Sequence, residues 1–299
     1  MTTYSYIASN KFRSVVLLLL FMAFIGGIGY IWGLYYGNGI ESIGMALIFA
    51  GVSSFAGYFW SDKIALAVNG AQAINENDDP ELFHIVESLS MTAGIPMPKL
   101  YIINDPAPNA FATGRNPQHA AIAVTTGIRQ IMTKAELEGV LAHEMSHIKN
   151  YDILFMTLVS VFVGTITMLA DWFMRWGMWG GNRRRDSREG NSSINGIIMV
   201  VGLVLIILSP IIATIIQLAI SRKREYLADA SGVLLTRYPE GLANALEKIS
   251  STAAPMANAN KATAHLFISN PLKSNGFSKL FSTHPPLADR IKILREMNH

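Results

Sequence analysis

His143-Glu144-Met145-Ser146-His147 is an HExxH pattern, flanked by Leu141 and Ala142 on one side and Ile148 on the other. Ten residues upstream, Thr133 followed three residues later by Glu136 makes a capping box, so the spacing predicts a helix that starts there and runs past His147. At 3.6 residues per turn the two histidines fall on one face about one turn apart, where two imidazoles can bind one ion. Glu144, one residue on, reaches water beside that ion and not the ion itself. The bland alternative is a surface helix with two solvated histidines. The apolar neighbours argue for a partly buried helix, and burying two histidines and a glutamate with no metal between them is expensive.

A catalytic zinc takes three protein ligands and keeps a fourth position open for water. The chain has no cysteine, which removes disulfides and thiolate ligands together and fits a reducing compartment; the third ligand must be His, Asp or Glu. The stretch Ser221-Arg222-Lys223-Arg224-Glu225-Tyr226-Leu227-Ala228-Asp229-Ala230 offers Glu225. Asp229 lies one turn later on the same helical face, so one carboxylate can bind metal while its neighbour accepts a hydrogen bond from a ligand histidine. The same stretch also reads as a basic, salt-bridged juxtamembrane helix, and spacing alone does not choose. Its place after a run of apolar segments adds a condition. If the ligands meet on one side of a membrane, the chain between His147 and Glu225 crosses an even number of times.

A membrane is indicated by composition. Of 299 residues 51% are hydrophobic and 15% charged, with a mean hydropathy of +0.31, oilier than an ordinary soluble domain of this size. Residues 14–40 and 42–61 carry no charge; each run is long enough to cross a hydrocarbon core of roughly 30 Å. Tyr36-Gly37-Asn38-Gly39 divides them, so residues 1–61 read as a transmembrane hairpin and not as a cleaved signal peptide. Lys11, Arg13 and Lys63 flank the hairpin and place both its ends in the cytoplasm by the positive-inside rule. The net charge is only +3, and Arg183, Arg184, Arg185 and Arg188 stand between two apolar segments; lipid headgroups account for them better than nucleic acid does.

Residues 62–152 have the composition of a folded polar domain and form the first part of the catalytic unit. Asp79-Pro80 starts a helix over 81–93 that Gly94 ends. Residues 99–104, 110–113 and 120–126 read as short strands. Residues 153–220 form a second apolar hairpin, spanning or re-entrant, with 153–170 marginal in length. Residues 221–299 form the second part of the domain, with helices through Glu225, over about 239–250 and from Pro286, and with 253–276 as a flexible loop. His84, His119, His265 and His299 fit no ligand spacing and read as structural or surface residues. The fold class is α+β: a mainly helical integral membrane protein, with a small β-sheet in a gluzincin-like zinc protease domain plus transmembrane helices.

Several motifs in this order carry a resemblance: the N-terminal hairpin, Pro108-Asn109-Ala110-Phe111-Ala112-Thr113-Gly114, HExxH, the apolar pair, Arg224-Glu225-Tyr226-Leu227-Ala228-Asp229, and Thr283-His284-Pro285-Pro286-Leu287-Ala288-Asp289-Arg290. Over nearly its whole length the chain resembles the HtpX-type heat-shock membrane proteases, within the wider peptidase family that also contains the CAAX prenyl-protein proteases. The resemblance implies one zinc ion on His143, His147 and Glu225, with Glu144 as catalytic base. It implies ATP-independent cleavage of misfolded membrane proteins as quality control, by a multi-pass protein of the bacterial cytoplasmic (inner) membrane whose active site faces the cytoplasm. It also places Asn109 and His284 in the cleft, in substrate-binding or transition-state roles; a turn-stabilising Asn109 and a helix-capping His284-Pro285 are the alternatives. An arginine-rich loop between two crossing spans runs against the positive-inside tendency.

The strand directly before the HExxH helix, 120–126, is the expected edge for pairing with an extended polypeptide substrate. Three rival readings are a non-catalytic zinc-stabilised scaffold, a transporter and a CAAX-type processing protease. Against the first stands Glu144, which a structural site does not need; against the second, the scarcity of ionisable groups inside the spans.

Overall fold

The computed structural model describes residues 3–36, 39–180, 222–252, 255–257, 259–260, 262–272 and 285–297. The arginine-rich loop, the apolar segment 194–220, His284 and His299 lie outside these residues.

Long runs free of charge and proline form long helices: α1 (Thr3–Tyr36), α2 (Gly39–Val68) and α6 (Asp152–Gly180). Three helices are long and apolar enough to cross a membrane, over Ile7–Ile31, Ile40–Val68 and Asp152–Asp171. The segment read as marginal is thus part of a longer helix. α1, α2 and α6 pack together through Leu17, Phe21, Ile25, Ala50, Leu158 and Phe162. Phe21 and Phe162 stack with ring centroids 4.0 Å apart.

Between α2 and α6 the chain builds a four-stranded sheet from β1 (Gln72–Ile74), β2 (Lys99–Ile103), β3 (Ala110–Gly114) and β4 (Ala120–Thr125), ordered β1-β2-β4-β3. β2 and β4 run parallel, with Leu100 beside Ile122; β3 and β4 run antiparallel, with Ala112 beside Ile122. This corrects the expectation of an edge: β4 is an interior strand, buried at every position. Its sequence, Ala-Ala-Ile-Ala-Val-Thr, lacks the polar alternation of a half-exposed strand, as a strand covered on both faces should. Ala120, Ile122 and Val124 join one core with α3 (Pro80–Ala93) and α5 (Lys134–Lys149). Ala121 and Ala123 face another, with Leu66, Met156 and Phe267.

Local signals behave as their chemistry requires. Asp79 accepts from the Leu82 N–H, and Gly94 closes α3 in the left-handed conformation at φ 68°. The capping box of Thr133 and Glu136 is formed at both contacts. β1 and the short helix α4 (Thr126–Ile131) carry too few residues to show a period. The described part of 253–276 is no free loop: Thr263, Ala264, His265, Leu266, Phe267 and Ile268 are buried. Phe267 bridges Phe111 at the outer side of β3, with ring centroids 4.8 Å apart. His265 is structural, 3.0 Å from the Met156 carbonyl. His84 and His119 are exposed.

Candidate metal centre

α5 is the central helix of the polar domain, with every residue from Leu137 to Ile148 except Glu138 buried. Against it lies α7 (Arg222–Thr236), followed by α8 (Pro239–Thr252) and α9 (Leu287–Glu296). On α7 the buried residues Glu225, Ala228, Asp229 and Gly232 follow the i, i+3, i+4, i+7 spacing of one face. Gly232 lets that face close on the HExxH turn: a Cβ there would lie 3.0 Å from the His143 backbone nitrogen and 3.2 Å from the Ala142 carbonyl carbon.

The face brings Glu225 to the two histidines. Ligand atoms of His143, His147 and Glu225 all lie within 4.8 Å of one another. The two Nε2 atoms are 3.2 Å apart; Glu225 Oε2 is 3.7 Å from His143 Nε2, and Oε1 is 3.6 Å from His147 Nε2. Behind each ring a carboxylate faces Nδ1: Asp229 Oδ1 at 2.9 Å from His143 and Asp152 Oδ2 at 3.2 Å from His147. These carboxylates draw the ring protons to Nδ1 and leave both Nε2 lone pairs aimed at one point. Two lone pairs this close need a shared proton or a cation between them.

Arg290 of α9 completes the layer. Its Nε donates to Asp229 Oδ2 at 2.8 Å and its Nη2 to Asp229 Oδ1 at 2.6 Å, while Nη1 lies 3.5 Å from Glu225 Oε2. Nη2 is also 3.3 Å from His143 Nδ1; with Nδ1 donating its proton to Asp229 Oδ1 at 2.9 Å, that nitrogen has no lone pair left to accept from the guanidinium. Burial works against the Asp229 charge, yet Arg290 and then His143 hold its carboxyl below the usual range. Burial and the Arg290 charge push His143 down. His147 moves the other way: against burial, Asp152 and Glu225 lift it to about 9. The carboxylates that favour positive charge at His147 favour a cation in the same place.

Glu144 lies within electrostatic reach of His147 and Glu225. Burial, opposed by His147 and reinforced by Glu225, pushes its carboxyl up to about 7, and the Ala112 backbone N–H of β3 bonds to it. A carboxylate that exchanges its proton near neutrality suits a general base.

Among the residues singled out from sequence, His143, Glu144, His147, Glu225 and Asp229 come together here. Asn109 is buried, and its amide is held by a backbone segment: Nδ2 donates to the Ser269 carbonyl at 2.9 Å, and Oδ1 accepts from the Ser269 N–H at 3.2 Å. Asp152 and Arg290 escaped sequence reasoning. Arg290 belongs to the motif over 283–290, and an arginine near the start of a helix that also carries Lys292 and Arg295 is most simply a surface charge. Asp152, five residues past His147, reads from sequence as the boundary between a polar domain and an apolar segment.

Two imidazoles from one helix and a carboxylate from another, with Glu144 alongside, define a metalloprotease, and the long apolar helices make it a membrane-bound one. Sequence comparison makes the class specific: the chain belongs to peptidase family M48, whose model matches residues 76–298. A protein named Protease HtpX homolog from Tropheryma whipplei (strain Twist) is 46% identical over 296 residues, covering 99% of each chain. A namesake from Caldanaerobacter subterraneus subsp. tengcongensis is 46% identical over 299 residues, covering 99% of this chain and 98% of the relative. One from Streptococcus thermophilus is 44% identical over 294 residues, covering 97% and 98%. The crystal structure of S. mikatae Ste24p shares the fold, with a TM-score of 0.53 at 21% identity, over 97% of this chain and 67% of that one. The family and these relatives favour a protease over the scaffold and transporter readings.

Proposed function

We propose that the chain is a zinc-dependent endopeptidase that removes misfolded or damaged membrane proteins at the cytoplasmic face of the bacterial inner membrane. The observation that carries the reading is the convergence of His143, His147 and Glu225 on one point. Zinc bound by nitrogen and oxygen at about 2.0–2.2 Å in a tetrahedral site sets its ligands roughly 3.3 Å apart; the separations of 3.2, 3.6 and 3.7 Å fit that size. His-His-carboxylate with a neighbouring glutamate is a donor set suited to catalysis, since it keeps one position open. The membrane reading is supported by Asp152, which touches His147 and is also the first residue of a candidate span.

The domain plan assigned is a membrane hairpin over 1–61, catalytic halves over 62–152 and 221–299, and a second apolar hairpin over 153–220. His143, His147 and Glu225 would hold the zinc, which when bound would acidify water and polarise a scissile carbonyl. Glu144 takes a proton from the attacking water as its oxygen adds to the peptide carbonyl, and gives that proton to the amine as the C–N bond breaks. Asp229, itself clamped by Arg290, fixes the His143 ring; Asp152 fixes the His147 ring. His284 is assigned to the transition state, where one donor is typically worth roughly 3–4 kcal/mol; the support is Arg290, which lies among the ligands and shares its motif. Asn109 is assigned to the substrate cleft, with its amide bonded to the Ser269 backbone.

The test is casein cleavage by detergent-purified protein loaded with zinc, wild type against Glu144→Ala. Loss of the base should lower turnover by about 10²–10⁴-fold; equal activity in both would remove the mechanism.

A further inference from the structure

α1 does more than anchor. Asn10 lies inside the candidate span Ile7–Ile31, yet only 3% of it is exposed. A buried amide in such a helix is unfavourable unless its hydrogens are used, and it commonly marks function. Here Nδ2 donates to the Asn150 carbonyl at 3.0 Å and to Asp152 Oδ1 at 2.7 Å. Between those two residues Tyr151 sits at φ 60°, a conformation uncommon for a residue with a side chain. Lys11, next to Asn10, lies over the Tyr151 ring at 4.4 Å. The first turns of α1 therefore grip all three residues of the joint between α5 and α6.

That joint ends in the carboxylate that faces His147. Asp152 has two oxygens with separate tasks: Oδ1 accepts from Asn10, and Oδ2 faces His147 Nδ1 at 3.2 Å. Arg224 Nε stands 3.9 Å from Oδ1, so a carboxylate released by Asn10 has a cation at hand to turn toward. We infer that the first membrane helix is part of the metal centre, with Asn10 a positioning residue that acts through Asp152 on His147. This rests on His147 being a metal ligand. Partners behind metal-bound histidines typically change metal affinity by about 10- to 100-fold when lost, and Asn10 governs such a partner.

The test uses the full-length protein in detergent and measures zinc affinity by chelator competition, the visible absorption of the cobalt(II)-substituted protein, and the thermal midpoint without metal. Variants are Asn10→Ala, Asn10→Asp and Ser14→Ala, the last removing a buried hydroxyl that donates within α1, to the Asn10 carbonyl. Asn10→Ala should weaken zinc binding by about tenfold or more and alter the cobalt spectrum, and Asn10→Asp, facing Asp152 with a second carboxylate, should do so more severely. Ser14→Ala should keep wild-type affinity and spectrum. Wild-type affinity and spectrum in both Asn10 variants would overturn the inference, as would an equal loss in Ser14→Ala. Failure of the wild type to take up zinc or cobalt would instead overturn the metal-site reading beneath it.

Discussion

Arg290 Nη2 lies 2.6 Å from Asp229 Oδ1, the oxygen that also faces His143 Nδ1 at 2.9 Å. One carboxylate thus ties a guanidinium from α9 to a histidine of α5, although the two residues are 147 apart in sequence. The arginine is fully buried and also approaches Glu225. Its charge is what makes two buried carboxylates tolerable beside a site that must hold a cation.

Arg290→Leu leaves Asp229 and Glu225 without that compensation. Removing one partner of a buried ion pair typically destabilises by about 3–5 kcal/mol, and loosening Asp229 should lower zinc content as well. Arg290→Lys keeps a charge but not the two-pronged geometry, so it should fall between. Denaturant unfolding and metal analysis check this; a leucine variant with wild-type stability and zinc would contradict it.

Gly232→Ala has an unusual expected sign. In an exposed helix interior the change stabilises by roughly 1 kcal/mol. Here the new Cβ meets backbone of the HExxH turn at 3.0 Å, and backbone does not yield as a flexible side chain does. The substitution should destabilise by about 1–3 kcal/mol and lower kcat/KM by shifting His143. A raised thermal midpoint with unchanged activity would show that the two helices are not in this contact.

Glu136 supplies a pH signature. It accepts from the Thr133 N–H and from Lys248 Nζ, both at 2.7 Å. Burial alone would raise its carboxyl, but Lys248 and Thr133 outweigh it and hold the group below its ordinary 4.5. Because the folded value is the lower one, the charged group stabilises at neutral pH, and that stabilisation is lost as pH falls through the folded value. Glu136→Gln should therefore be less stable than wild type at pH 7, with the gap closing below about pH 4. Thr133→Ala should lose about 0.5–2 kcal/mol. A gap unchanged in acid would contradict the assignment.

What could be read from sequence was short-range. Asp79-Pro80, Gly94 and the Thr133/Glu136 box act within a turn or two, and the HExxH histidines are neighbours on one helix, so their roles follow from period alone. Glu225 and Asp229 were readable as a pair because they too are one turn apart. The remainder depends on which elements meet. Arg290 is a buried anchor only because α9 closes over α7, and Asp152 matters only because α1 and α5 both reach it. The edge expected at β4 failed because strand order follows no rule within one strand; β3 returns to pair on its outer side. The packing of 262–268 was hidden by small polar residues that resemble a linker until Phe267 is seen against Phe111.

The central claim is one cation held by residues from two helices. Zinc content per chain after extensive dialysis, in wild type and in Glu225→Ala, tests it most directly. The wild type should retain about one zinc and the variant almost none, with the metal-free proteins equally folded. Equal zinc in both would mean that the acidic ligand has been wrongly identified.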